Sequence, residues 1–118
     1  VQAHYGQALD LSMNISRTPR EHVPSACLTS LRLKSGSLMA LGLQMGAILG
    51  DSTPPRENLL LHCGRNVGMG LQMFDDIGSL FLPSEHPKRF EDMRLGRPSW
   101  VWKVLAEDRE SAEYEILL

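Results

Sequence analysis

The sequence predicts an all-α protein. Three observations carry that reading. Apolar residues recur at helical spacing through most of the chain, no segment alternates apolar and polar residues as a half-buried strand does, and the breaks fall at proline and glycine clusters. There is no internal repeat and no low-complexity tract. The 118 residues allow one domain of ordinary size or a portion of a larger one.

Val1–Ile15 reads as the first helix, with Ala3, Gln7, Asp10 and Asn14 on one face and Tyr5, Leu9, Ser12 and Met13 on another. Ser16-Arg17-Thr18-Pro19 should end it, and Thr18, with Pro19 after it and Glu21 at the third position, should cap the next. That second helix is expected from Pro19 to about Lys34, with Pro24 tolerated near its first turn. Lys34-Ser35-Gly36 is a weak point, and the apolar pattern then resumes through Leu38, Met39, Leu41, Leu43, Met45, Ile48 and Leu49. A kinked or broken pair of helices is expected there.

Gly50-Asp51-Ser52-Thr53-Pro54-Pro55 is a stop and turn. From Pro55 a long helix should run to about Leu82, carrying Gly64, Gly68 and Gly70, whose cost of roughly 1 kcal/mol each relative to alanine calls for close approach of a neighbouring helix. Ser84–Gly96 reads as a charged loop with Lys88, Arg89, Asp92, Arg94 and Arg97 close by. A last helix begins near Pro98-Ser99-Trp100. Asp108-Arg109-Glu110 reads as a solvated charge cluster.

Composition narrows the partners. Hydrophobic residues make up 42% of the chain and charged residues 22%, and the formal net charge is −2, so neither nucleic acid nor an anionic membrane surface is implied. The longest apolar stretch, Ser35–Gly50, falls short of the roughly 18 uncharged residues a membrane span requires. No secretory signal is visible, and a cytoplasmic location is expected. Cys27 and Cys63 lack CxxC spacing and read as two buried free thiols. The chain starts without methionine and stops inside an apolar pattern, so it is expected to be a portion of a longer protein, truncated at both ends.

Chemistry concentrates in Leu71–Ser79. Gln72, Asp75, Asp76 and Ser79 share one helix face, whereas Met73, Ile77 and Leu80 form another. Adjacent carboxylates are most often solvated, but here the flanking residues argue for burial, and buried unpaired carboxylates are costly. A divalent cation, a basic side chain or a water-filled cavity would solvate them. Grouped carboxylates suit Mg²⁺, which takes one or two of them and completes its shell with water and phosphate oxygens. Lys34, Lys88 and Arg97 supply opposite charge. Gln7 and Asp10 form a second polar pair, either a hydrogen-bonded core contact or part of the same site. The four histidines show no ligand spacing.

The order of motifs resembles a known family. Gly6-Gln7-Ala8-Leu9-Asp10-Leu11 is similar to GQxxDL, and Leu33-Lys34-Ser35-Gly36-Ser37-Leu38 with Gly46-Ala47 to LKTGxL…GA. Gly64-Arg65-Asn66-Val67-Gly68 and Leu71-Gln72-Met73-Phe74-Asp75-Asp76 resemble GxxxG…FQIxDD. Lys88, Asp92, Gly96-Arg97 and Ser99 resemble the GK…D…GK-[ST] loop that follows. The chain thus resembles the trans-prenyltransferases, or polyprenyl synthetases, from Gly6 to about Glu107.

The resemblance implies a part of an isoprenoid synthase helical bundle, occupying residues 1–118. It implies Mg²⁺-dependent condensation of an allylic prenyl diphosphate with isopentenyl diphosphate, with Mg²⁺ at Asp75 and Asp76. Lys34, Gln72 and Asp75 would be catalytic, and Gln7, Asp10, Lys34, Gln72, Lys88 and Arg97 would bind substrate. The implied partners are prenyl diphosphates, the remaining segments of the same protein and a second copy of it.

Three positions depart from the pattern: Ser79 stands where DDxxD ends, Arg97 where the loop has lysine, and Pro87 where it has glycine. The first aspartate-rich motif would lie upstream of Val1. A terpene cyclase on the same scaffold, or a non-catalytic subunit of a heteromeric synthase, are the alternatives.

Overall fold

The computed structural model describes residues 1–108 and 111–118, and every regular element among them is helical. The α-helices are α1 (Gln2–Ser12), α2 (Val23–Leu31), α3 (Ser37–Leu49), α4 (Pro54–Gly78), α5 (Glu91–Leu95), α6 (Trp100–Asp108) and α7 (Ser111–Leu117). The expected helical bundle is therefore what forms. Arg109 and Glu110 of the anticipated charge cluster lie outside the described residues.

The first two boundaries differ from expectation. α1 ends at Ser12, because Met13 is extended and Asn14 accepts from the Ser16 amide to start a 3₁₀ turn over Ile15–Arg17. Thr18 is not a cap: its hydroxyl donates back to the Asn14 carbonyl at 2.9 Å. A second 3₁₀ turn over Arg20–His22 follows, and α2 starts only at Val23, with Pro24 in its first turn as anticipated.

The weak point at Lys34-Ser35-Gly36 does not break the chain. Arg32–Gly36 forms a π turn that joins α2 to α3 without interruption. Such an inserted residue bulges the helix and re-aims the side chains around it. Lys34 and Ser35, both half-buried, lie inside the bulge.

α4 is the long central helix, and α3 packs along it after the turn at Gly50 and Asp51. Two of its three interior glycines have the predicted reason. A Cβ on Gly64 would stand 2.7 Å from the Met39 carbonyl oxygen, and one on Gly68 would overlap the Ser35 carbonyl oxygen. Gly70 has nothing within 4 Å, so close approach does not explain it.

The core forms where Ile15, Val23, Cys27, Trp102, Ala106 and Tyr114 cluster, between α2, α6 and α7. Trp102 and Tyr114 meet edge to face with ring centroids 6.0 Å apart. Both cysteines are free, but only Cys27 is buried; Cys63 is exposed on α4, contrary to the expectation of two buried thiols. Leu38, Leu41, Met45 and Ile48 line an exposed apolar face of α3. The principal extents are 53 × 33 × 24 Å, and the radius of gyration of 16.3 Å exceeds the roughly 13.5 Å of a compact chain this long. No helix among the described residues is long and apolar enough to cross a membrane.

Candidate functional site

The C-terminal half of α4, the π turn, the end of α1 and the segment from Lys88 to Pro98 surround one cavity of about 550 Å³. Asp10, Lys34, Gln72, Asp75, Asp76, Lys88 and Arg97 all line it. These residues are up to 87 positions apart, counting from Asp10 to Arg97, yet converge on a single space. Gln7 is the exception: it is exposed on α1 and does not reach the cavity, because the buried positions of that helix are Gly6 and Asp10. A Cβ on Gly6 would stand 2.6 Å from the Lys34 amide nitrogen, so its absence lets α1 press against the π turn. That contact brings the Asp10 carboxylate to 3.4 Å from Lys34 Nζ.

The helix face predicted for Gln72, Asp75 and Asp76 exists as a hydrogen-bonded unit. Gln72 Nε2 donates to Asp76 Oδ1 at 2.9 Å and to Asp75 Oδ2 at 3.2 Å. Ser35 Oγ donates to Gln72 Oε1 at 2.9 Å, tying the π turn to α4. Asp76 is 5% exposed, and its second oxygen, Oδ2, accepts from the Trp100 amide at 2.8 Å. Trp100 is the first residue of α6, where backbone N–H groups lack helical partners and a carboxylate is favoured. A charge-assisted bond of that kind contributes about 1.5–3 kcal/mol. Asp75, one residue earlier, is exposed and faces the cavity.

Ser79, at the end of the aspartate-rich motif, also lines the cavity, but its hydroxyl is bonded within α4. Its hydroxyl donates to the Asp76 carbonyl at 2.8 Å, one turn back on its own helix. Arg97 is held by Glu91 at 3.4 Å, and it follows Gly96, whose left-handed backbone (φ +63°) and contact with Asn14 admit only glycine. The Gly96 carbonyl accepts from the Ile15 amide at 2.8 Å, which anchors this loop to the segment after α1.

Asp92 received no role from the sequence beyond its place in the loop motif, yet it lines the cavity from the first turn of α5. Burial pushes its carboxyl above the usual range, and the charges of Asp76 and Asp10 push it further, against Lys34 and Arg97. Burial likewise raises Asp76, opposed by the Trp100 amide, Gln72 and Lys34, with Asp75 adding to the rise. The shared and largest cause is burial, to which the neighbouring carboxylates add: five of them line the cavity against three cations. Ser35 was also missed as a site residue. Its signal would have been its position within the glycine-containing break that places Lys34.

Among the described residues, no three histidine, cysteine or carboxylate side chains form a ready-made metal-ligand group. The donor set nevertheless fits Mg²⁺ in the manner hard cations favour. Excess carboxylate charge surrounds a polar cavity, and Asp75 is free to coordinate directly or through water while phosphate oxygens complete the shell.

A family model described as polyprenyl synthetase matches residues 1–118. A geranylgeranyl diphosphate synthase of Methanosarcina mazei is 31% identical over 80 residues, which cover 68% of this chain and 24% of that protein. The aligned region therefore spans about a quarter of the length of this relative. No solved structure matches the chain. With cations and carboxylates converging as the motifs imply, the chain belongs to the polyprenyl synthetase family.

Proposed function

We propose that the protein is a prenyl diphosphate synthase, joining an allylic prenyl diphosphate to isopentenyl diphosphate in isoprenoid biosynthesis. The observation that carries this reading is the convergence of Lys34, Lys88 and Arg97 with Asp75 on one cavity. A diphosphate needs both kinds of group: cationic side chains for its oxygens and a carboxylate to retain a divalent cation beside it. Mg²⁺, held at the aspartate pair through its exposed member Asp75, would neutralise charge that develops on the leaving diphosphate.

Lys34, Lys88 and Arg97 would bind the allylic diphosphate and stabilise it as it departs with the electron pair of the broken C–O bond. Gln72 would hold the carboxylate pair in place, and Asp10 would keep Lys34 directed inward through their 3.4 Å contact. The allylic cation is then attacked by the alkene of isopentenyl diphosphate, forming a C–C bond. The released diphosphate takes the proton that restores a double bond. Gln7 would act only through the α1 surface, since it does not line the cavity.

The name of the Methanosarcina mazei relative, a geranylgeranyl diphosphate synthase, favours chain elongation over cyclisation. The family resemblance also supports a homodimer, which sedimentation would test; the cytoplasmic location expected from the sequence is a matter for cell fractionation. The test of activity incubates the full-length protein with Mg²⁺, labelled isopentenyl diphosphate and allylic primers of several lengths. Formation of longer prenyl diphosphates is expected. No extended product from any primer would sink the proposal.

A further inference from the structure

We propose that Asp76 is a positioning residue that locks α4 to α6 and thereby sets the place of Asp75, the neighbouring carboxylate to which the proposed function assigns the cation. This rests on the proposed prenyl transfer for the identity of the ligand, but its structural half stands on this chain alone.

Asp76 and Asp75 differ in access. Asp76 is nearly buried and both of its oxygens are already engaged, Oδ1 by Gln72 Nε2 at 2.9 Å and Oδ2 by the Trp100 amide at 2.8 Å. Each Asp76 oxygen keeps a second lone pair, but at 5% exposure a cation reaches it only by drawing the carboxylate off Gln72 or the Trp100 amide, and a donor left unpaired there is costly. Asp75 carries only the longer bond from Gln72, 3.2 Å, and is exposed to the cavity. The same helix turn therefore offers one committed and one available carboxylate.

The committed one belongs to a continuous chain of hydrogen bonds. Ser35 donates to the Gln72 carbonyl at 2.9 Å, the Gln72 amide donates to Asp76, and Asp76 accepts from the first residue of α6. Three segments distant in sequence, the π turn, α4 and α6, are thereby joined through one amide and one carboxylate. The second donor hydrogen of Gln72 steadies Asp75, so the position of the available carboxylate depends on the committed one and on Ser35. The Ser99 hydroxyl accepts from the Trp102 amide at 3.5 Å and fills a further place at the α6 start, leaving the Trp100 amide to Asp76.

The test uses full-length protein with Mn²⁺ plus inorganic diphosphate as the binding probe, and hydrogen exchange at the Trp100 amide as the structural one. Asp75→Asn is expected to weaken Mn²⁺ binding at least tenfold and to leave Trp100 exchange unchanged. Asp76→Asn is expected to weaken binding less than Asp75→Asn does, while Trp100 exchange accelerates by tenfold or more. Unchanged Trp100 exchange in Asp76→Asn, or a greater binding loss there than in Asp75→Asn, overturns the proposal.

Should Asp76→Asn fail to fold, Ser35 decides. Ser35→Ala should weaken Mn²⁺ binding roughly threefold and Ser35→Thr, which keeps the hydroxyl, should restore it; no change in Ser35→Ala overturns the positioning role. A wild-type protein that binds no Mn²⁺ with diphosphate, yet loses Trp100 protection in Asp76→Asn, would refute the prenyl-transfer reading and with it the role given to Asp75, while the lock at Asp76 would stand.

Discussion

Replacing Gly68 by alanine adds one methyl group where α4 crosses the π turn. That methyl would overlap the Ser35 carbonyl oxygen and lie 2.9 Å from Met39 Cβ and 3.0 Å from the Ser35 carbonyl carbon. Carbon–carbon contacts are comfortable at about 3.5–4.0 Å, so the π turn must retreat by about half an ångström. The atoms in the way are largely backbone and cannot rotate aside. Overpacking of this kind costs roughly 1–3 kcal/mol, offset by about 1 kcal/mol of better helix propensity.

Gly70, two residues on, supplies the control. Nothing lies within 4 Å of its would-be Cβ, so Gly70→Ala should gain about 1 kcal/mol from propensity alone. The two variants should therefore differ by about 1–3 kcal/mol in urea unfolding, with equal m-values. Equal stability of the two would refute the packing argument. The displacement should also reach the site: the 2.9 Å bond from Ser35 to Gln72 has little slack, and half an ångström takes it to the edge of hydrogen-bonding range. Gly68→Ala should accordingly weaken Mn²⁺–diphosphate binding, and Gly70→Ala should not.

Other predictions follow from the same cavity and core. Asp75→Ala should abolish prenyl transfer, while Ser79→Asp should not reduce it, since Ser79 lines the cavity and a carboxylate there restores the motif at the cost of one bond to the Asp76 carbonyl; product assays with Mg²⁺ check both. Asp92 has its carboxyl raised by burial and by Asp76 and Asp10, so the folded state holds its proton more tightly than the unfolded chain, and stability falls as pH rises from the ordinary value of 3.8 through the raised one. Asp92→Asn should therefore raise the unfolding midpoint at neutral pH and change it little at pH below 3.8, as thermal melts across that range would show. Thiol labelling should find one fast group, exposed Cys63, and one that reacts only on unfolding, since burial pushes Cys27 up to about 12.

Much of the fold was legible because its punctuation is local. Proline and glycine clusters place the start of α4 and the end of α3, and the periodic apolar pattern identifies helices without reference to the rest of the chain. The failures are equally physical. Thr18 satisfies every rule for a cap, but the competing Asn14 carbonyl takes its hydroxyl, and two 3₁₀ turns replace the expected helix start. The π turn was visible only as a weakness at Gly36, because a bulge preserves helical periodicity on either side of it. Cys63 looked buried because three leucines precede it in sequence, whereas on α4 it is exposed. Seven of the eight site residues chosen from sequence share one cavity, yet Gln7 does not, because only the structure shows which side of α1 presses on the π turn.

What the sequence could not disclose is how the cavity holds its geometry against its own charge. Asp76 and Asp92 bear the cost in raised proton affinity, chiefly through burial and then through the neighbouring carboxylates, five of which share the cavity with three cations. A seventh-turn helix face alone could not hold such groups together. The restraint comes from backbone contact that side chains would prevent: Gly6 lets α1 bring Asp10 to Lys34, Gly68 lets Ser35 reach Gln72, and Gly96 turns the loop so that Arg97 enters. Each glycine sacrifices local stability and supplies a close approach, so the residues that build this cavity are as much the ones with no side chain as the ones that line it.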